Sequence, residues 1–239
     1  MSTKPGYGID APKVIRNLFG IGLLLLVAAA VLHNLRIGFF FACALTGFVL
    51  VIEAFLMLAY ALWGKMLHRD RMLALHAWRG DEQVLDVGTG RGLLLIGAAK
   101  RLGNSNAAGH ATGIDIWNAE DLSGNTRTLT EQNIALEGVS EKCTLLSQAV
   151  QEMSSTDGAF DVVVSNLCLH NIYDQVSRRK ACRQIARVLK PAGVAIISDY
   201  KKTGEYAREF REAGLVVDRK WPNLLTTFPP LTIVVARKP

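Results

Sequence analysis

The stretch Val84-Leu85-Asp86-Val87-Gly88-Thr89-Gly90-Arg91-Gly92-Leu93 decides how the rest of the chain is read. A short apolar run ends, glycines follow at alternate positions, and a helix-forming apolar segment begins. Glycines at such a junction let the backbone take positive φ and let a ligand approach with no Cβ in the way. A dinucleotide-binding fingerprint, G-x-G-x-x-G, needs its third glycine at position 93, where this chain has leucine. The run is instead D-x-G-x-G-x-G, with an acid two residues ahead of the first glycine.

Working outward, short apolar runs alternate with longer amphipathic stretches. Val84 to Val87, Ala111 to Ile116, Cys143 to Leu146, Asp161 to Ser165, Val194 to Ser198, Leu215 to Asp218 and Leu231 to Ala236 read as strands. Leu93 to Leu102, Asn125 to Glu137 and Ser177 to Leu189 have helix character, with Ser123 or Asn125 as the expected N-cap of the second. Strands alternating with helices predict an α/β fold, a mostly parallel sheet covered on both faces, over residues 83–239.

Upstream the composition changes. From Asn17 to Gly64 the only formal charges are Arg36 and Glu53. Leu18 to Leu32 is unbroken apolar sequence, and Ile37 to Gly64 is interrupted by charge only at Glu53. A helix needs about 20 such residues to cross the hydrocarbon core. Residues 1–64 therefore read as a two-helix membrane anchor, with helices over about 17–35 and 37–63 and a turn at His33-Asn34-Leu35-Arg36. The second stretch is long enough to tilt or protrude, which places Glu53 toward an interface rather than at mid-membrane. Lys4, Lys13 and Arg16 precede the first span and Lys65, Arg69 and Arg71 follow the second, so the positive-inside bias puts both ends, and the α/β domain, in the cytoplasm. Residues 65–82 mix Met66, Leu67, Met72, Leu73, Leu75 and Trp78 with basic residues, and read as an amphipathic helix at the bilayer surface.

The net charge of +6 includes no long basic block, so nucleic acid is not implied. Cys43, Cys143, Cys168 and Cys182 have neither C-x-x-C spacing nor partner histidines, which argues against a metal site or a disulfide framework. Arg178-Arg179-Lys180 reads as the exposed face of a helix, and Lys201-Lys202 as a candidate contact for an anionic acceptor.

Four features in order resemble the class I S-adenosylmethionine-dependent methyltransferases. Asp86 to Gly92 is similar to their first motif, and Asp115 closes the second strand, where the family places an acid on the ribose hydroxyls. Phe160 to Asn166 looks like their fourth strand and the start of the active-site loop. Arg187-Val188-Leu189-Lys190-Pro191-Ala192-Gly193 resembles the signature leading to their fifth strand, which usually ends Pro-Gly-Gly. The resemblance covers about Leu73 to Pro239. It implies a Rossmann-like sheet of seven strands with the last antiparallel, and S-adenosyl-L-methionine as cofactor.

On that resemblance Asp86 organises the glycine loop and the cofactor's ammonium, or else simply caps the following helix. Gly88, Gly90 and Gly92 admit the methionine and ribose portions, Asp115 takes the ribose diol, Trp117 lies beside adenine or packs in the core, and Asn166 borders the cofactor. The chain departs from the family after the third strand, where Gln148-Ala149-Val150 replaces the usual Gly-Asp. Adenine is then left to backbone groups at Ala149 and Val150 or to a side chain such as Gln148 or Gln151.

The loop Ser165 to Asp174 is where the family puts acceptor-facing residues. His170 is the candidate general base, because a free imidazole titrates near neutral pH, or it merely orients the loop. Cys168 reads as an inert thiol. The resulting expectation is a membrane-anchored methyltransferase acting on a small, apolar or amphipathic, lipid-like molecule at O, N or S. Its rivals are a protein methyltransferase and a non-catalytic cofactor-binding scaffold. Neither the acceptor atom nor the oligomeric state is written in the sequence.

Overall fold

A computed structural model describes residues 4–103, 109–220 and 222–239. Helix α1 (Pro12–Asn34) and helix α2 (Phe40–Ala59) form an antiparallel hairpin. The first begins earlier and the second later than the apolar runs alone suggest. Pro12 suits a first-turn position, and the connecting turn extends to Phe39. The hairpin closes on glycine: a Cβ on Gly22 would meet the Gly47 carbonyl oxygen at 2.9 Å, and one on Gly47 would meet Gly22's at 2.8 Å. Small residues at a helix crossing let two backbones approach this closely. Two helices, Pro12–Asn34 and the continuous Phe40–Leu73, are long and apolar enough to cross a membrane.

That second helix does not stop at the expected anchor boundary. It passes through a π-helical turn, Tyr60–Gly64, into α3 (Lys65–Leu73). Helical structure ends at Leu73, well short of Glu82. Lys65, His68, Met72 and Leu73 are buried, while Leu67 and Arg71 are exposed. α3 packs on the α/β domain, where Met72 and Leu73 join the core and the Arg69 and Leu73 side chains lie against Gly97 of α4 (Leu93–Ala99).

The sheet has seven strands: β1 (Gln83–Val87), β2 (His110–Asp115), β3 (Cys143–Ser147), β4 (Phe160–Asn166), β5 (Leu189–Asp199), β6 (Val216–Arg219) and β7 (Thr232–Arg237). Their order is β3-β2-β1-β4-β5-β7-β6. The first five are parallel and β7 runs antiparallel to both neighbours, as expected. Alternation along β1 sends Val84 into one core with α3, α4 and α5 (Arg127–Leu136). Leu85 goes into the other, with α6 (Gln175–Val188) and α7 (Thr203–Glu212).

Strand order reverses between β1 and β4. In an open α/β sheet ligands bind outside the carboxyl ends of the strands at that reversal.

Two local expectations are corrected. Thr126, rather than Ser123 or Asn125, caps α5, accepting from the Leu129 N–H at 3.3 Å. Arg178 is buried, because its guanidinium is needed inside. It donates to the carbonyls of Ile172 and Tyr173 at 2.7 and 2.8 Å and pairs with Glu205 on α7 at 3.1 Å.

Candidate active site

At the reversal, β1 delivers the glycine loop. Asp86 is buried, and its Oδ2 accepts from the Thr89 hydroxyl at 2.8 Å and from the Leu95 N–H at 2.9 Å. It therefore does cap α4, and its second oxygen, Oδ1, is buried with no partner. Burial pushes the Asp86 carboxyl up to about 7, against the pull of those two hydrogen bonds. A neighbouring cation would restore its charge.

Gly88 has φ +70°, and a Cβ there would lie 2.3 Å from the Cys168 sulfur, so glycine is required by both conformation and space. Burial drives the Cys168 thiol far upward, consistent with an inert group.

Asp115 ends β2 as expected and faces the same cavity. Its Oδ2 accepts from the Gly90 N–H at 2.7 Å and its Oδ1 from the Trp117 N–H at 2.6 Å. Oδ1 also accepts from Asn125 Nδ2 at 3.4 Å, so Oδ2 is the oxygen that retains capacity for a ligand hydroxyl. Gly92, also at positive φ, starts α4 behind the loop rather than on the cavity wall. Trp117 is turned away: its backbone is left-handed, its indole N–H donates to the Ser147 hydroxyl at 2.8 Å, and its ring packs on the α4 side of the sheet. Ile116 takes its place on the cavity wall.

The cavity, about 210 Å³, is lined by Gly88, Gly90, Asp115, Asn125, Gln148, Ala149, Val150, Gln151 and Asn166, among others. The Gln148 side chain is held by Ser154, whose backbone N–H and hydroxyl donate to its Oε1, and its own Nε2 is buried without an acceptor. Asn166 presents an unpartnered buried Oδ1, and so does Asn125. With Asp86 Oδ1 that makes three orphaned acceptors around the glycine loop, and one orphaned donor, on Gln148, lies after β3. S-adenosylmethionine fits this set: an ammonium for Asp86 and Asn166, a ribose diol for Asp115, and ring nitrogens that accept from Gln148.

A smaller cavity of about 60 Å³ continues past the glycine loop, and Tyr7, Asp10 and Lys65 line it with Asp86, Gly90 and Asn166. Sequence reasoning missed these three. Lys65 is 4% exposed, and its ammonium donates to the carbonyls of Tyr7 and Gly8 at 2.9 and 2.6 Å and pairs with Asp10 at 3.3 Å. Burial pushes the Asp10 carboxyl up, opposed by Lys65. Tyr7 donates to Glu137 at 2.6 Å, and Ile9 and Ser123 exchange hydrogen bonds. The segment before α1 is thus strapped across the loop that follows β2. No local signal announces it, since its partners lie far away in sequence.

His170 follows β4, and its Nδ1 lies 2.8 Å from Oδ1 of the fully buried Asp199 at the end of β5. Asp199 is held by the Tyr206 hydroxyl at 3.1 Å and by the N–H groups of Tyr200 and His170 at 2.9 and 3.2 Å. The Tyr200 ring meets the imidazole edge to face. The approach of His170 to Asp199 is an ion-pair distance without hydrogen-bond geometry, since Nδ1 is buried with no hydrogen-bond partner. His170 is not on the cavity wall itself. Asp121 is on that wall, and burial pushes its carboxyl up. Lys201 lies over the Tyr200 ring at 5.0 Å. Among the described residues no cluster of metal-ligating side chains occurs.

A family model described as a methyltransferase domain matches residues 79–225. A ribosomal protein L11 methyltransferase from Lactobacillus helveticus is 29% identical over 60% of this chain and 42% of its own length. The sterol 4-C-methyltransferase strm-1 of Caenorhabditis elegans is 30% identical over 54% of this chain and 34% of its own. The match thus spans less than half the length of these curated relatives. Among solved structures, an O-methyltransferase family protein from Burkholderia thailandensis superposes with a TM-score of 0.58 at 17% identity, covering 80% of this chain and 60% of that one.

Proposed function

This chain belongs to the methyltransferase domain family, and on that premise we propose that it is a membrane-anchored enzyme that methylates a small, apolar or amphipathic acceptor at the cytoplasmic surface. One observation carries the reading: the cavity at the strand reversal, where the Asp86, Asn166 and Gln148 side chains each keep a buried polar atom unpartnered. S-adenosylmethionine supplies a methyl carbon activated by positive sulfur. When bound, it would offer that carbon to the acceptor's lone pair for in-line displacement, the C–S electron pair staying with sulfur as S-adenosylhomocysteine departs. Much of the protein's task is then alignment. For a hydroxyl or ammonium acceptor, the proton would go to the His170 imidazole beside Asp199, in the loop whose Asn171 and Ile172 line the cavity.

The sterol methyltransferase among the relatives supports an apolar acceptor. The hairpin supports acceptors delivered from lipid, since it holds the domain against the membrane. Both of its ends reach the α/β domain, Lys13 pairing with Glu120 and α3 packing on α4, and basic residues flank both ends, which supports the cytoplasmic side. The ribosomal-protein methyltransferase among the relatives supports a second reading, a protein acceptor. Incubation of the full-length protein with methyl-labelled cofactor separates the two. Label in the lipid fraction of a host membrane extract supports the first, label in a ribosomal-protein fraction supports the second, and cofactor bound without transfer to either points to a scaffold.

A further inference from the structure

A third cavity lies away from the cofactor site, where the membrane hairpin meets the α/β domain. Leu56, Trp63 and Leu67 form one side of this groove of about 290 Å³, and Leu224, Leu225 and Phe228 on the β6–β7 connection form the other. None of its lining residues is charged. Leu224 is 74% and Leu225 96% exposed, and Trp63 is also exposed, so an apolar surface is held open rather than folded away. Side chains like these gain free energy only by meeting an apolar occupant.

The groove is built at an irregular point in the helix. Here the π-turn Tyr60–Gly64 replaces regular α-helix, and Gly64 lets the helix backbone lie against the connection: a Cβ would come within 2.4 Å of the Thr226 carbonyl oxygen. The turn buries Tyr60 between two sites. The Tyr60 ring lines the groove, and its hydroxyl accepts from Asn166 Nδ2 at 3.4 Å. Asn166 borders both parts of the cofactor cavity.

Leu56 and Ala59 of α2 line the groove, and on the same helix Phe41, Leu45, Phe48, Ile52 and Phe55 are exposed.

We propose that this groove seats the apolar chain of a lipid-like acceptor drawn from the bilayer, with Tyr60 separating the seated chain from the cofactor cavity. The proposal rests on the reading of the protein as a membrane-anchored methyltransferase. It adds to that reading a location and a ligand class. The acceptor carries a reactive polar head and a flexible apolar tail, and the tail is recognised by the hairpin and the β6–β7 connection. The chemistry of the head is left to the loop holding His170.

The full-length protein in phosphatidylcholine nanodiscs tests this with a hexadecyl phenol bearing a diazirine on its alkyl chain, photolysed and mapped by mass spectrometry. The expected result is adducts concentrated on Trp63, Leu67, Leu224, Leu225 and Phe228. Leu225→Asp should cut labelling there by about tenfold or more, because a carboxylate in an apolar groove is left without a partner. Ala59→Trp, which fills the groove without adding charge, should do the same, whereas Val216→Asp on the far edge of the sheet should leave labelling unchanged. Adducts spread evenly along the exposed faces of α1 and α2, undiminished by either groove variant, overturn the proposal. Cross-links from the groove to a second copy of the chain also overturn it, since the occupant is then protein. Calorimetry of S-adenosylmethionine binding on the same samples keeps the two readings apart: wild-type protein that labels in the groove and binds no cofactor refutes the methyltransferase, and one that binds cofactor and labels evenly refutes only the groove.

Discussion

Leu24 on α1 and Leu85 on β1 are the same side chain in opposite settings, the first 71% and the second 0% exposed. The difference runs through the whole molecule. The hairpin turns its leucines and phenylalanines outward around a seam of glycine and alanine, while the sheet buries its valines and leucines between helices. One half leaves its large apolar side chains exposed and the other buries them. Where they meet, neither rule holds: Lys65 is buried among carbonyls and Leu225 stands exposed. That junction adjoins both the cofactor cavity and the groove, so a boundary that composition marks as a linker is where the site is completed.

The largest effect expected lies in the α/β half. Gly88→Val puts a branched side chain into the Cys168 sulfur at positive φ, and calorimetry should detect no S-adenosylmethionine binding while the helical signal in circular dichroism persists. Unchanged affinity would mean the ligand does not pass over this loop.

Next comes His170→Ala, which should lower turnover roughly 10²–10⁴-fold with cofactor affinity unaltered if a hydroxyl or ammonium is methylated. Wild-type rates across the pH range with a hydroxyl acceptor would remove His170 from the chemistry.

Deleting Met1 to Gly64 tests whether the hairpin is only an anchor. Both cores are built from Met72 onward, so the domain should fold and leave the membrane. It would lose Tyr7, Asp10 and Tyr60, and Lys65 would lose its three oxygen partners. Cofactor affinity should fall about tenfold or more, by the cost of stripping a buried charge of its acceptors. Full affinity in the truncated chain would return the hairpin to the role of a tether.

The smallest effect sharpens the opening contrast. Leu85→Ala should cost about 2–5 kcal/mol in chemical unfolding, whereas Leu24→Ala, made on a surface that no protein atom covers, should fall within about 0.5 kcal/mol for protein held in detergent. Comparable losses would show that the hairpin's outer face packs against protein, as in an oligomer.

The sequence by itself determined the features that are local. The D-x-G-x-G-x-G run marked the strand-to-helix turn, alternation marked the strands, and charge-free length marked the hairpin, because each is written in residues within a few positions of one another. Gly88, Gly90, Asp115 and Asn166 were legible at the site for the same reason, each lying at the end of a recognisable strand. Only the tertiary structure decided what depends on distant partners. Asp199 comes to His170 across adjacent strands, Lys65 finds Tyr7 and Asp10 across the length of the hairpin, Arg178 is drawn inward by Glu205, and Trp117 is swung off the cavity toward Ser147. A buried charge or hydrogen bond is set by what the fold brings within about 3 Å, and periodicity along a chain carries no record of which far-off residue that will be.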